Sequence, residues 1–350
     1  MDKLIVSNAP HIHTSDSSRR VMLDVVIALL PATVAAVVIF GIGALKVIAA
    51  CVIGAVVSEA LFDLATHRKQ TVGDFSAVVT GLLLGLNLSS SVPVWQCVVG
   101  SAFAIIIVKC LFGGLGHNFA NPAISGRVFM LLAFSEVAGG AMPTVVELEA
   151  SATPLELISA GSEQLPSLMD MFLGLRGGAV GESCILALLI GYAYLCARRV
   201  IKWYVPAAFV GTVFVLSLVS AGSFVTALYS VMAGGVFLGA IFMATDYVTT
   251  PINNTGRVVF AVGCGVITFV IREFCAYPEG VSFSILAMNI LTPYIEKWTA
   301  KQPLGGVCYE KYRKVSHCPC AHFRRYDARH HRRQCLYRAH HRGQRLCRGL

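Results

Sequence analysis

Thr153, in the one long polar interval of this chain, has the surroundings of a modifiable hydroxyl. The small residues Ser151 and Ala152 precede it, and Pro154 and Glu156 follow it. Thr at the N-cap, Pro at the first helical position and Glu two residues later form a capping box, which predicts a helix start. A helix N-terminus also attracts phosphate, because free N–H groups and the helix dipole face it. The pattern therefore predicts a cap, and it also fits a phosphate ester on Thr153 beside the helix that Pro154 begins.

A second stretch of interest is residues 112–122, which read FGGLGHNFANP. Glycines such as Gly114 permit positive φ and close backbone approach. Asn121, which precedes a proline, ends any incoming helix. The stretch predicts either a tight turn between two helices or part of a cofactor or ion path.

Three acidic residues lie in or beside apolar runs. Asp246 closes one run and Glu59 lies inside another. Ionisable groups at membrane depth are costly and are candidates for function, although Asp246 is also a suitable cap at a helix end. Glu182 belongs to the glycine-rich segment 177–183, which lacks the spacing and lysine of a phosphate-binding loop. No residue set predicts a catalytic group or a metal site.

The elements that carry these residues are membrane helices. Only 13% of the 350 residues are charged and the mean hydropathy is +0.69, whereas soluble domains carry about 25% charged residues. Apolar runs of roughly 17–25 residues predict transmembrane helices. The sequence therefore predicts an all-α polytopic membrane protein with about ten of them. The predicted spans are 22–43, 45–65, 74–89, 93–112, 120–141, 182–197, 203–221, 225–244, 257–273 and 279–296.

These spans divide the chain into five parts. In order, they are a polar N-terminal segment (1–20), a first membrane half (21–141), an interval (142–181), a second membrane half (182–298) and a tail (299–350). The net charge of the chain is +9, and the residues from Arg313 onward alone carry 11 Lys or Arg and one acid, a net charge of +10. The charge of the body therefore does not indicate a nucleic-acid partner. After about residue 312 the composition turns to Arg, His and Cys, which predicts a disordered or frame-shifted end.

Lysine and arginine accumulate on one predicted face of the membrane. By the positive-inside bias this face is cytoplasmic, and the acidic interval 142–181 lies outside. The basic residues assigned to the cytoplasmic face are Arg19, Arg20, Arg68, Lys69, Lys109, Arg127, Arg198, Arg199, Lys202 and Arg257.

The two membrane halves show weak internal similarity. Residues 121–129, NPAISGRVF, resemble residues 250–260, TPINNTGRVVF. Broken segments at corresponding positions of two halves are typical of repeat-built membrane proteins. With five spans in each half, the sequence predicts a 5+5 inverted repeat.

Five motifs in order resemble the RnfD/NqrB family of membrane subunits, over about residues 7–306. They are 112–122, 151–155 (SATPL), 178–183 (GAVGES), 242–246 (FMATD) and 277–280 (YPEG). The resemblance implies a scaffold similar to ammonium and urea channels in the bacterial plasma membrane. It also implies one subunit of a redox-driven ion translocase that moves electrons between ferredoxin and NAD⁺ and exports Na⁺ or H⁺.

The resemblance further implies cofactors and partners. FMN would be joined by a phosphoester to Thr153, beside Ser151, Ala152 and Pro154, by a flavin transferase that acts outside the cytoplasm. Ala150 stands where the family motif has Ser or Thr. Riboflavin bound without a covalent bond is a second implied cofactor. The implied partners are Rnf subunits of the A, B, C, E and G types and the lipid bilayer.

Two other functions remain open on the sequence. Inverted repeats with broken helices also suit a channel or secondary transporter for a small solute, although such a protein has no need of the SATPL loop. An NqrB-like subunit of a NADH:quinone reductase is the other alternative.

Overall fold

The computed structural model describes residues 17–134, 158, 166–275 and 280–300, and the regular elements among them are helices. Thr153, Ser151, Ala152 and Pro154 lie outside the described residues. The helices are α1 (Ser18–Ala65), α2 (Ser76–Leu86), α3 (Val94–Ala102), α4 (Pro122–Ala133), α5 (Leu168–Leu173), α6 (Ile185–Ala197), α7 (Tyr204–Ala221), α8 (Phe224–Met232), α9 (Val236–Leu238), α10 (Asn254–Phe274) and α11 (Val281–Thr299). Two π-helical stretches, Phe103–Cys110 and Gly239–Met243, continue α3 and α9.

Helix α1 is long enough to cross a membrane twice. It has 48 residues, or about 72 Å at 1.5 Å per residue, against roughly 30 Å of hydrocarbon. The run is interrupted at Gly41, whose φ of 66° and ψ of −151° are not helical and suit a residue without a Cβ. The sequence predicted two spans here, and the structure separates them by a break at Gly41 inside one helical run.

Among the described residues, length and composition identify three helices able to cross a membrane: α1, α7 and α10. The pair formed by α8 and Val236–Met243, bent by 64°, gives a fourth if it counts as one broken span. Shorter apolar helices lie at Ser76–Leu86, Val94–Cys110, Pro122–Ala133 and Ile185–Ala197. The prediction of an all-helical membrane protein is confirmed.

Helices α1 and α2 pack with their backbones in close contact. A Cβ added at Gly81 would lie 2.7 Å from Val52 Cα, and one at Gly85 would lie 2.9 Å from Ile48 Cα. Small residues permit this kind of packing, which membrane helices use because lipid provides little hydrophobic force between them. The contact holds the start of α2 against the polar end of α1, where Glu59 and Asp63 are buried.

Candidate functional site

The segments that follow the two π-helical stretches meet at one crevice. Residues 115–123 line one side of it and residues 241–248 line another. The crevice has a cavity volume of about 80 Å³ and is partly open to solvent. Most of its lining is apolar, with Asn118, Asn121 and Asp246 among the few polar residues. A mostly apolar lining with a few polar groups is typical of small-molecule sites.

Asn121 starts α4 and joins it to the second segment. Its Oδ1 accepts from Ala123 N at 3.1 Å and caps the helix, with a proline at the first helical position as capping rules favour. The side-chain amide of Asn289 is oriented so that both its oxygen and its nitrogen form hydrogen bonds. The oxygen accepts from Asn121 N at 3.1 Å, and the nitrogen donates to Thr249 O at 3.3 Å. Asn289 of α11 therefore bridges the two segments at the back of the crevice.

Asp246 has a structural role at the crevice wall. Its carboxylate accepts from the Thr249 hydroxyl at 3.1 Å and from Val248 N at 3.4 Å, which forms a local turn. The residue is only partly buried and lines the crevice. Both sequence interpretations of Asp246, a helix-end cap and a group on a polar path, are compatible with this geometry.

Asn118 presents an unused hydrogen-bond acceptor. Its Oδ1 is buried and has no hydrogen-bond partner within the described part of the chain. The residue lines the crevice. Because buried polar atoms are normally paired, this oxygen indicates a place for a donor from a bound molecule.

Glu59 forms a buried ion pair with Lys109, the last but one residue of the first π-helical stretch. Lys109 Nζ lies 2.7 Å from Glu59 Oε1, and the two side chains are only 2% and 1% exposed. The same ammonium donates to Ser76 Oγ at 2.6 Å. Lys109 and Ser76 both line the crevice, so the ion pair lies directly behind its wall.

Two more carboxylates belong to this cluster. The Thr71 hydroxyl lies 2.6 Å from Glu59 Oε1 and 3.0 Å from Asp63 Oδ2. Asp74 accepts from the Ser76 hydroxyl. Glu59 Oε2 is buried with no hydrogen-bond partner among the described residues. The cluster therefore has three carboxylates and one buried ammonium, and it retains a free acceptor.

Glu182 lies in a different cluster. Its carboxylate is 3.7 Å from Arg127 Nη1, and its backbone carbonyl accepts from Arg176 Nη2 at 2.9 Å. A Cβ added at Gly235 would lie 2.3 Å from Glu182 Oε1, so the carboxylate rests against the bend between α8 and α9. The weaker sequence candidates thus separate, with Asn121 and Asp246 at the crevice and Glu182 away from it.

Gly114 has a conformational role. Its φ is +93°, with Gly113 at +119° and Gly116 at +94°, so the glycines make the turn after the first π-helical stretch. Nothing lies within 4 Å of the place of a Cβ at Gly114. Within residues 112–122, the glycines therefore form a tight turn, and the two asparagines line the crevice.

The basic partners of Glu59 and Glu182 were not predicted from the sequence. Lys109 and Arg127 were counted among the charges of the cytoplasmic face, but each is buried in an ion pair and marks no face. The signal for Lys109 was present, because it is a lysine inside the apolar run FAIIIVKC and intramembrane charges usually have a partner. Arg272, within the apolar helix α10, carried the same signal.

Comparison with known proteins decides the family. The model of the NQR2, RnfD, RnfE family matches residues 5–305. The chain belongs to this family. It is 44% identical over 316 residues to the D-type subunit of the Na⁺-translocating ferredoxin:NAD⁺ oxidoreductase complex of Acetobacterium woodii, covering 89% of this chain and 98% of that protein.

Two other family members match this chain over a similar share of its length at lower identity. The D-type subunit of the proton-translocating ferredoxin:NAD⁺ oxidoreductase complex of Clostridium ljungdahlii is 38% identical, with 86% of this chain and 96% of that protein covered. The D-type subunit of the ion-translocating oxidoreductase complex of Alcanivorax borkumensis is 36% identical, with 86% and 97% covered. These family members are named as subunits of redox-driven ion translocases.

Proposed function

We propose that this chain is the D-type membrane subunit of an ion-translocating ferredoxin:NAD⁺ oxidoreductase. The observation that carries the proposal is its 44% identity to such a subunit across 98% of that protein. The subunit is one relay inside a larger assembly, with the A-, B-, C-, E- and G-type Rnf subunits as partners. It does not itself oxidise the soluble substrate.

Covalent FMN on Thr153 is the electron carrier in this proposal. The support comes from the sequence, where the small residues Ser151 and Ala152 precede a threonine that begins a capping box. A flavin passes electrons singly or in pairs, and the protein contributes its position and electrostatic surroundings. Ala150 stands where the family motif has Ser or Thr, so the sequence matches that motif less well. The acceptor residue itself, Thr153, is present.

The crevice suits a second flavin, riboflavin held without a covalent bond. Its apolar walls fit a planar ring system, and Asn118 Oδ1 offers an unused acceptor to a ring or ribityl donor. The residues present therefore fit the group that the family resemblance implies.

The buried carboxylates support the ion-coupling part of the proposal. Glu59 and Asp63 are buried and Asp74 is partly buried, and the three carboxylates accept from Thr71 or Ser76. Buried ionisable groups in membrane helices usually belong to ion or proton paths, because their desolvation is costly. The coupled ion is Na⁺ or H⁺, and relatives of both kinds are similar to this chain.

The finer architecture of the proposal is ten spans in two inverted halves of five. Local structure supports it. The two similar segments are residues 121–129 and 250–260, and each follows a π-helical stretch and an irregular turn. Each also contains the start of a helix after an asparagine, Asn121 for α4 and Asn253 for α10. Together with the lysine and arginine bias of the loops, this arrangement supports an interval 142–181 that lies outside the cytoplasm.

In-gel fluorescence tests the proposed function. The full-length protein is co-expressed with a flavin transferase, denatured and separated by electrophoresis. We expect flavin fluorescence on the wild-type band and none on Thr153→Ala. Ser151→Ala is the matched control, because it removes a neighbouring hydroxyl and should keep the fluorescence. A wild-type band without fluorescence would exclude the flavin relay.

A topology experiment tests the side of the loop. A single cysteine replaces Ser162 in a background without other reactive cysteines. We expect an impermeant maleimide to label it in intact cells. Labelling that requires cell lysis would reverse the proposed orientation.

A further inference from the structure

A second, smaller cavity lies beside the crevice and is lined by two cations. It has a volume of about 20 Å³ and is partly open to its surroundings. Lys202 and Arg257 both line it, and the remaining lining is apolar except for Thr245, Tyr247 and Thr250. The described residues that line this cavity include no carboxylate. We refer to it as the basic cavity.

The starts of two helices bring the two cations together. Lys202 precedes α7 by two residues, and Arg257 is the fourth residue of α10. The Tyr204 hydroxyl, at the start of α7, donates to Asn254 Oδ1, at the start of α10, at 2.9 Å. The basic cavity therefore lies where these two helices begin side by side.

The charges of the basic cavity are not neutralised within the described part of the chain. No carboxylate there pairs with Lys202 or Arg257. Arg257 Nε donates to Pro251 O at 3.0 Å, and the two terminal nitrogens remain for another acceptor. The hydroxyls of Thr245 and Thr250 already donate to backbone carbonyls. A half-buried guanidinium beside an ammonium indicates an anionic ligand, because the arginine fork matches the geometry of phosphate.

Exposed aromatic residues indicate that the basic cavity lies at the level of the lipid headgroups. Trp203, next to Lys202, is 67% exposed, and Trp298, near the end of α11, is 83% exposed. The side chain of Asn253, the N-cap of α10, donates to Thr299 O at 3.3 Å, so the end of α11 lies beside the start of α10. Tryptophan is enriched at the membrane–water interface, where the polar headgroups of the bilayer also lie.

We propose that the basic cavity binds the phosphate of an anionic membrane phospholipid, such as phosphatidylglycerol. Lys202 and Arg257 supply the positive charge, because anionic lipid attracts lysine and arginine near the membrane surface. A volume of about 20 Å³ exceeds the space that one water needs, so it admits a phosphate oxygen. The rest of the headgroup and the acyl chains remain outside, in the bilayer. The lipid site depends neither on the covalent flavin nor on what occupies the crevice.

Native mass spectrometry of the full-length protein in detergent tests this inference, with phosphatidylglycerol and phosphatidylcholine as the added lipids. The wild type should bind phosphatidylglycerol more tightly, because the ammonium of phosphatidylcholine offsets its phosphate. Lys202→Gln and Arg257→Gln should each weaken binding of phosphatidylglycerol about fivefold, the usual contribution of one cation near a membrane surface.

Three comparisons separate charge from structural damage. Arg257→Lys keeps the charge but loses the Nε contact with Pro251 O, and it should bind phosphatidylglycerol more tightly than Arg257→Gln. Lys297→Gln is the matched control, because Lys297 lies over the Tyr294 ring at 5.7 Å and does not line the basic cavity. Its affinity should equal that of the wild type. Lys202 is exposed, so Lys202→Gln remains informative if Arg257→Gln fails to fold.

Selective loss of phosphatidylglycerol binding in the Lys202 and Arg257 variants would support the inference. Equal affinity of the wild type for the two lipids, or an equal loss in Lys297→Gln and Lys202→Gln, would overturn it. Inorganic phosphate is added separately in a thermal unfolding assay, because a ligand of the folded state raises its stability. Stabilisation of the wild type but not of the variants, with unchanged lipid binding, would assign the basic cavity to a soluble anion and exclude the lipid.

Discussion

Replacing Lys109 by methionine is the most informative test of the buried ion pair. Methionine has similar length and no charge, so the change removes the ammonium that lies 2.7 Å from the Glu59 carboxylate. Both side chains are almost fully buried, which keeps water from replacing the lost contact. Breaking a buried pair on one side costs about 3–5 kcal/mol. The Ser76 hydroxyl also loses its contact with Lys109, which costs about 1 kcal/mol more.

These terms predict a large drop in thermal stability. A loss of about 5 kcal/mol corresponds to roughly 10 °C, at about 2 °C per kcal/mol for a chain of this size. The double variant Glu59→Gln, Lys109→Met should recover most of this loss, because removing both charges leaves no unpaired ion. The glutamine still offers an oxygen to Thr71.

The assay is thermal unfolding of the purified protein in detergent, with both single variants and the double variant measured together. The double-mutant cycle isolates the coupling energy between the two side chains. A Lys109→Met protein that melts within about 1 °C of the wild type would refute the buried pair. A double variant as unstable as the sum of its single variants would also refute it.

Two other predictions concern packing and the crevice. Gly191→Ala should destabilise the protein by about 1–3 kcal/mol, because its Cβ would lie 2.3 Å from Ala28 O. The control Gly211→Ala meets nothing within 4 Å and should be neutral or stabilising in the same melting assay. Equal stability of the two variants would contradict the close packing of α1 and α6. Asn118→Leu should remove the flavin that acid precipitation releases, because it deletes the free acceptor in the crevice, and it should leave covalent flavin in the protein pellet. Unchanged released flavin, measured by chromatography, would exclude Asn118 from a flavin site.

The positions of the helices were largely predictable from the sequence. Predicted spans 203–221 and 257–273 match helices Tyr204–Ala221 and Asn254–Phe274 within a few residues, because long apolar runs have few alternatives to helix. The bend between α8 and α9 was not predicted. Gly234, with φ of 66°, and Gly235 permit it, but the position of the bend also depends on Arg272 and Glu182, which come from elsewhere in the chain.

The partners of the candidate residues were not predictable in the same way. Glu59 was a candidate from its place inside an apolar run, but Lys109 lies 50 residues away and was assigned to the cytoplasmic face. Such pairs depend on how helices pack, and hydropathy periodicity carries no information about which helix faces which. Asn121 and Asp246 were recognised from motifs, while their shared crevice became visible only in the structure.

The covalent flavin on Thr153 is tested most directly by peptide mass spectrometry. Cleavage after glutamate releases residues 150–156, ASATPLE, which contain Ser151 and Thr153 as their hydroxyl residues. In protein co-expressed with the flavin transferase, we predict that this peptide gains the mass of FMN less one water. Fragmentation should assign the added mass to Thr153. A fully unmodified peptide, or an added mass on Ser151, would contradict the account.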